Sequence, residues 1–186
     1  MYGLVNKAIE GLIRQQAGEE IWERIKAKAG VEEEFFVGMN PYPDEVTYKL
    51  VGAASEVLGL SADEILREFG EYWILYTAQE GYGHLLTMSG RDFKEFLYNL
   101  DKLHAHVGAN FPSLQPPSFR CTETSDNELV LHYYSGRPGL APMVIGLLNG
   151  LGRMLNTEVA VTHTASRARG ADHDEFLVRY HARISS

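Results

Sequence analysis

The side chains whose types and spacing could do chemistry fall into two groups. The first centres on His104. Phe93, Phe96, Leu97, Leu100, Leu103 and Val107 recur at helical spacing and define one apolar face. His104 stands four residues on from Leu100 and seven from Leu97, so it shares that face. Its neighbour His106 is turned away by about 200°, two steps of about 100° each. A neutral imidazole in apolar surroundings is a good ligand for iron or zinc. A core histidine bonded to a backbone carbonyl would give the same pattern. No second ligand follows at i+4, which argues against a structural zinc site. A centre that needs a single protein ligand remains open.

The second group is Tyr133-Tyr-Ser135-Gly-Arg137. Residues two apart on a strand share a face, so Tyr133, Ser135 and Arg137 point the same way if the extended chain continues through Gly136. Two hydroxyl donors and a guanidinium on one face suit a pair of carboxylates or a phosphate. A solvated strand face with a surface arginine is the plainer reading. The opposite face, with Val130, His132 and Tyr134, offers no comparable cluster. Taken together, an imidazole on an apolar helix and an anion clamp on a strand match the two needs of a haem. Its iron takes the imidazole, and its propionates take the donors.

The elements that must hold these residues change character along the chain. Leu4, Val5, Ala8, Ile9, Leu12 and Ile13 predict a first helix, and Ile21, Trp22 and Ile25 a second that Gly30 ends. A loop with Phe35, Phe36, Gly38, Pro41 and Pro43 leads to a third helix over 44–58. Ser61-Ala-Asp-Glu64 is a capping box that opens a fourth, expected to run to about Gln79. Gly81, Gly83 and Gly90 loosen the next stretch, and a fifth helix spans about 92–107. Three prolines between Gly108 and Pro117 mark a boundary. Beyond it, 119–124 and 128–135 read as a hairpin, 139–155 as a helix with Pro142 in its first turn, and 158–167 and 175–183 as two more strands. The expectation is an α+β fold in one domain. A helical part covers about 1–108 and a ββαββ part about 109–186, with a four-stranded antiparallel sheet and the haem between the two parts.

Composition narrows the function classes. The chain has 186 residues, 45% of them hydrophobic, and a formal net charge of −8. That length suits a single domain with its own core, and the acidic balance argues against nucleic acid as a partner. One cysteine, Cys121, excludes an internal disulfide and any four-cysteine metal centre. It reads as a small strand residue, with a reactive thiol as the other possibility. The longest apolar run, 140–148, is too short to cross a bilayer, and the amphipathic start is not a secretory signal. No membrane association and a cytoplasmic address are therefore expected. His84, His163, His173 and His181 are read as solvated or loop residues.

With its helix-borne His104 upstream of an intact Tyr-x-Ser-x-Arg, the chain resembles the haem nitric oxide/oxygen binding (H-NOX) family, which includes the haem domain of soluble guanylate cyclase. The likeness runs over essentially the whole chain. It is strongest toward the cyanobacterial stand-alone members, in segments such as Val46-Thr-Tyr-Lys-Leu-Val-Gly-Ala-Ala-Ser-Glu-Val-Leu-Gly59. The resemblance implies haem b as cofactor, His104 as the iron ligand, and Tyr133, Ser135 and Arg137 as the propionate clamp. It also implies Pro117 as the proline that presses on the porphyrin, with Val5 and Leu147 packing the haem. Family members that hold oxygen place a donor tyrosine on the helix after the motif. Met143 stands there, Ile9 takes the supporting position on the first helix, and Trp73 a third distal position. Met143 and Ile9 carry no donor, and the indole N–H of Trp73 is the one donor among the three.

The resemblance thus implies a sensor and not an enzyme. It would bind nitric oxide and carbon monoxide at ferrous haem, exclude oxygen, and signal to a partner as the bond to His104 weakens. The partner class implied is a histidine kinase or a diguanylate cyclase, since the chain is too short to carry an output domain. Two rivals stand beside it. A peroxidase or dioxygenase would want distal acid–base groups, and the alignment offers none. A haem-free module would use the Tyr133, Ser135 and Arg137 clamp on another anion and would show no Soret band.

Overall fold

The structure, a computed structural model, describes residues 1–77, 80, 83–111 and 113–183. Gln79, Gly81 and Pro112, on which the sequence reading placed a helix end and two loop markers, lie outside these residues. Helices α1 (Gly3–Ala17), α2 (Glu19–Ala29), α3 (Asp44–Leu58) and α4 (Ala62–Thr77) come first. Ala8, Ile9, Leu12 and Ile13 of α1 are buried, as the helical spacing of their apolar side chains requires. Trp22 and Ile25 of α2 close the same core. Gly30 ends α2 at φ 63°, a left-handed conformation that glycine adopts without a Cβ clash. The capping box before α4 forms: the Ser61 backbone N–H donates to Glu64 Oε2 at 2.8 Å, and the Glu64 N–H donates to Ser61 Oγ at 3.2 Å.

A short helix α5 (Gly83–Met88) occupies part of the stretch that the glycines led us to expect as irregular. Leu86 is its buried residue, and tertiary packing outweighs the poor propensity of Gly83. The next helix, α6 (Phe93–Asn110), carries His104. Asp92 caps it, accepting the Glu95 N–H at 2.8 Å.

Strands β1 (Ser118–Ser125) and β2 (Glu128–Tyr134) form the hairpin, α7 (Ala141–Met154) follows, and β3 (Thr157–Ala165) and β4 (Asp174–Ala182) complete the sheet. Its order is β1-β2-β4-β3, antiparallel throughout. Burial alternates along β2: Leu129, Leu131 and Tyr133 face inward, while Val130, His132 and Tyr134 face the other way. Pro142 lies in the first turn of α7, as expected. β3 stops at Ala165, two residues short of the expected end at Arg167, which instead opens a single 3-10 turn over 167–169.

The core has two parts. One gathers α1 to α4 around Ile9, Trp22, Leu50 and Phe69. The other gathers α6, α7 and the inner sheet face around Phe93, Leu97, Leu131, Leu148 and Phe176. They meet where α4 crosses α7 with almost no side chain between them. A Cβ on Gly146 would fall 2.0 Å from the Arg67 carbonyl oxygen, and one on Gly70 2.3 Å from that of Met143. This close approach also fills the space beside Gly146.

Candidate functional site

His104 sits on α6 with its ring against Phe119 of β1, the centroids 4.9 Å apart at 48°. Its Nδ1 is 2.8 Å from the Leu100 carbonyl oxygen, one turn back. A carbonyl only accepts, so Nδ1 carries the proton and Nε2 keeps a lone pair. Burial is the main influence on this imidazole and pushes it below its ordinary value; the Leu100 bond and the nearby Asp101 charge work the other way. The ring is therefore neutral at pH 7, the form that binds a metal. The backbone-bonded core histidine and the metal ligand are thus compatible, because the backbone takes only one of the two ring nitrogens.

The helix is fixed to the sheet beside this ring. Asp101 Oδ1 accepts from Ser118 Oγ and from the Phe119 backbone N–H, each at 2.9 Å. Further along α6, a Cβ on Gly108 would come 3.2 Å from Pro116 Cγ. The segment Gln115-Pro116-Pro117 therefore lies against the helix that carries His104. Pro117 itself is half-buried.

The same segment reaches the second group. Arg137 Nη1 donates to the Gln115 carbonyl at 2.7 Å. Its Nε donates to Asp44 Oδ2 at 2.7 Å and its Nη2 to Asp44 Oδ1 at 3.4 Å, a two-pronged grip on a carboxylate. Residues 133, 135 and 137 remain less exposed than 134, 136 and 138, so the shared facing outlasts the strand, which ends at Tyr134. Tyr133 is buried, and burial raises its hydroxyl above the ordinary value despite a hydrogen bond with Ser135. It stays protonated at neutral pH, a donor and not a charge. Ser135 Oγ accepts the Arg137 backbone N–H at 3.1 Å, and the Ser135 carbonyl accepts from Arg167. The sequence reading missed Asp44 as the partner of Arg137. It also missed the bond from the Tyr48 hydroxyl to the Pro138 carbonyl at 2.9 Å, which ties α3 to the same turn. Sequence held no signal for either, because the partners are about ninety residues apart.

An apolar cavity of about 50 Å³ lies between α6, the sheet, α4 and α7. Leu100, Phe119, Ile74 and Leu147 are among its lining residues, and no lining side chain carries a hydrogen-bond donor. Leu147, of the haem-packing and distal residues named from sequence, lines it, as do Phe96, Leu97 and Leu100 of the His104 stripe. Val5, Ile9, Trp73 and Met143 pack instead within the helical core, where the Trp73 ring meets Phe69 edge-on at 6.0 Å. Ile74, Phe119 and Leu131 line the cavity without having been singled out; the inward alternation of the two strands was the signal that could have found the latter two.

The donor set fits a haem: one neutral imidazole with a free lone pair, two neutral hydroxyls, and a guanidinium already shaped around a carboxylate. Fifty cubic ångströms, by contrast, admits a small molecule and not a planar macrocycle. Haem would seat here only with α6 and the sheet set further from α4 and α7.

Comparison with known proteins points the same way. Residues 2–163 match the family described as Haem-NO-binding. The chain is 35% identical to the soluble guanylate cyclase gcy-32 of Caenorhabditis elegans over 191 aligned positions, covering 96% of this chain and 28% of that protein. It is 34% identical to gcy-35 of the same organism over 168 positions, covering 87% of this chain and 24% of the relative. The chain thus spans about a quarter of the curated relatives it matches. Among solved structures, an H-NOX protein from S. oneidensis in the Fe(II) state, carrying three alanine substitutions, superposes with a TM-score of 0.90 at 18% identity, over 100% of this chain and 98% of that one. The Fe(II) unliganded H-NOX protein from K. algicida gives 0.86 at 20% identity, with both chains covered in full. Among the described residues, no helix is long and apolar enough to cross a membrane.

Proposed function

Because the chain belongs to the Haem-NO-binding family, whose members are haem-binding sensor domains and not catalytic ones, we propose that it senses nitric oxide, and also takes carbon monoxide, without holding oxygen. One observation carries the assignment of His104 as the iron ligand: a neutral imidazole is pinned through Nδ1 to Leu100 and packed on Phe119, both of which line the apolar cavity, and its Nε2 lone pair is left over. When bound, haem supplies a ferrous iron with one position open to a diatomic gas.

The chain's own residues do the rest. Tyr133, Ser135 and Arg137 bind the propionates, with Asp44 giving up or sharing its hold on the guanidinium. Pro117 presses on the porphyrin, and Val5 and Leu147 pack against it. Ile9, Met143 and Trp73 shape the distal side and mainly fill space. Stable oxygen binding would call on a hydrogen-bond donor from the chain, and the cavity lining has none; the Trp73 indole, the one donor among the distal residues, packs against Phe69 in the helical core. Selectivity against oxygen follows from that lack.

Any displacement of α6 reaches the sheet through Asp101 and reaches the Arg137 turn through the Gln115–Pro117 segment. A ligand that favours one position of α6 would therefore bias a two-state arrangement. A partner reads that bias: a histidine kinase or a diguanylate cyclase on the family resemblance, with a cyclase the type named among the relatives. A small uncharged gas crosses membranes, so a cytoplasmic address is consistent with the role.

The absorption spectrum of the reduced, haem-loaded protein tests the reading. A Soret band that shifts with nitric oxide and with carbon monoxide, and stays unliganded in air, is expected. A stable oxy spectrum in air would remove the selectivity, and a protein without a Soret band after expression with ample haem would favour a haem-free anion-binding module. Turnover of peroxide with a reducing substrate would instead favour the enzyme reading.

A further inference from the structure

The outer face of the sheet carries a second cluster that the haem reading does not use. His132 and Glu175 are cross-strand partners on β2 and β4, so their side chains stand side by side on the face opposite Tyr133 and Phe176. His173 joins them from the turn just before β4. His132 Nδ1 is 2.8 Å from His173 Nε2, and Glu175 Oε1 is 3.3 Å from each of these nitrogens. We propose that His132 Nδ1, His173 Nε2 and Glu175 Oε1 form a binding site for a divalent transition metal of the zinc type.

Geometry is the first argument. Zinc sits about 2.0–2.1 Å from nitrogen and oxygen ligands in a tetrahedron, which sets ligand atoms about 3.4 Å apart along each edge. Two edges of this triangle are already at 3.3 Å. Only the nitrogen–nitrogen edge, at 2.8 Å, has to widen, by about half an ångström. Three protein ligands with one remaining position is a common zinc arrangement, and two imidazoles with a carboxylate is one of its ligand sets. All three side chains are half-buried, so the cluster is within reach of ions in solution.

Orientation is the second argument. Metal-binding histidines usually donate their other N–H to a fixed acceptor. His173 Nδ1 lies 3.1 Å from Asp172 Oδ2, which fixes that proton on Nδ1 and leaves the Nε2 lone pair facing His132. His132 Nε2 lies 3.0 Å from Thr122 Oγ1, a hydroxyl that either donates or accepts. Without a metal, Thr122 donates to Nε2, and the Nδ1 proton of His132 bridges to His173. With a metal, the His132 proton moves to Nε2 and Thr122 accepts it, so Nδ1 turns its lone pair to the ion and no proton is lost from the ring. The Tyr134 ring stacks on His173 at 4.3 Å and 24°, holding the imidazole in this plane. The sequence pattern gave no hint of the cluster, because the fold brings together residues about forty apart.

Equilibrium dialysis of the haem-loaded full chain against zinc chloride at neutral pH, read by elemental analysis, tests the site independently of gas binding. About one zinc per chain beyond the wash-resistant background is expected. His132→Gln, His173→Gln and Glu175→Gln should each weaken binding at least tenfold, while His163→Gln leaves it unchanged. His173 lies outside the strand ladder, so its variant keeps the sheet even if His132→Gln disturbs it; far-UV circular dichroism checks both. No zinc above background in the wild type, or equal zinc in the wild type and in folded His173→Gln, would overturn the site.

Discussion

The Asp101 carboxylate takes the backbone N–H of Phe119 at 2.9 Å, while the Phe119 ring lies against His104 one turn further along the same helix. The edge strand is therefore tethered to the helix beside the candidate iron ligand. Asp101→Ala should cost about 1 kcal/mol of stability, or about 2–4 °C in Tm. Its specific mark is faster amide exchange at Phe119 with no change at Leu131, deep in the sheet. Unchanged exchange at Phe119 would contradict the tether.

Replacing His104 separates the iron ligand from a merely packed histidine. His104→Gly should lose its haem during gel filtration and regain a Soret band when imidazole is added. Full retention of haem without imidazole would refute the assignment.

The Arg137–Asp44 pair gives a dependence on acidity with a defined sign. Burial alone would raise the Asp44 carboxyl, but hydrogen bonds from the Met1 amine and from Arg137 outweigh it and hold the group below 3.8. Its contribution is then fully present above 3.8, the ordinary value, and fades as pH falls through the lower folded value. The pair is partly exposed, so Asp44→Asn should cost only about 0.5 kcal/mol near neutrality. The urea midpoints of the two proteins should converge below that point. A gap that widens in acid would mean that Asp44 is not the stabilised carboxylate.

Cys121 is the sole thiol, and burial pushes it up to about 11 from 9.0. Its Sγ lies 3.5 Å from the Leu97 carbonyl. At pH 7 such a group carries roughly a hundredth of the thiolate of an ordinary cysteine. Maleimide labelling of the folded protein should be slower than that of the urea-unfolded chain by a comparable factor. The reactive-thiol possibility raised by sequence would require equal rates.

How legible the molecule was depends on the distance over which each feature is defined. The stripe around His104 and the alternation through Tyr133, Ser135 and Arg137 are local periodicities, and both elements formed where those patterns put them. The facing of Ser135 and Arg137 even survives the end of β2. Asp44 was invisible as their partner because only the fold brings α3 to the turn after β2. The helix α5 was hidden by glycines whose flexibility its packing overrides. Phe119 and Ile74 could be read as apolar, but not as neighbours across one cavity.

Among the described glycines, Gly146→Ala should be the costliest added methyl. With the Arg67 carbonyl oxygen 2.0 Å from where its Cβ would sit, backbone must shift. A loss of about 3 kcal/mol is expected, lowering Tm by about 6–12 °C. A change within 1 °C would show that the two helices slide apart readily.

That backbone-to-backbone crossing redraws the boundary the prolines suggested. By chain order α7 belongs with the sheet, yet it is welded to α4 of the helical part. Cutting the protein after Gly108 would not yield two foldable pieces, since each fragment would carry one bare half of a joint. Held backbone to backbone at Gly70 and Gly146, α4 and α7 would move as one unit, so opening the space between α6 and α7 would have to displace α6 rather than part α7 from α4.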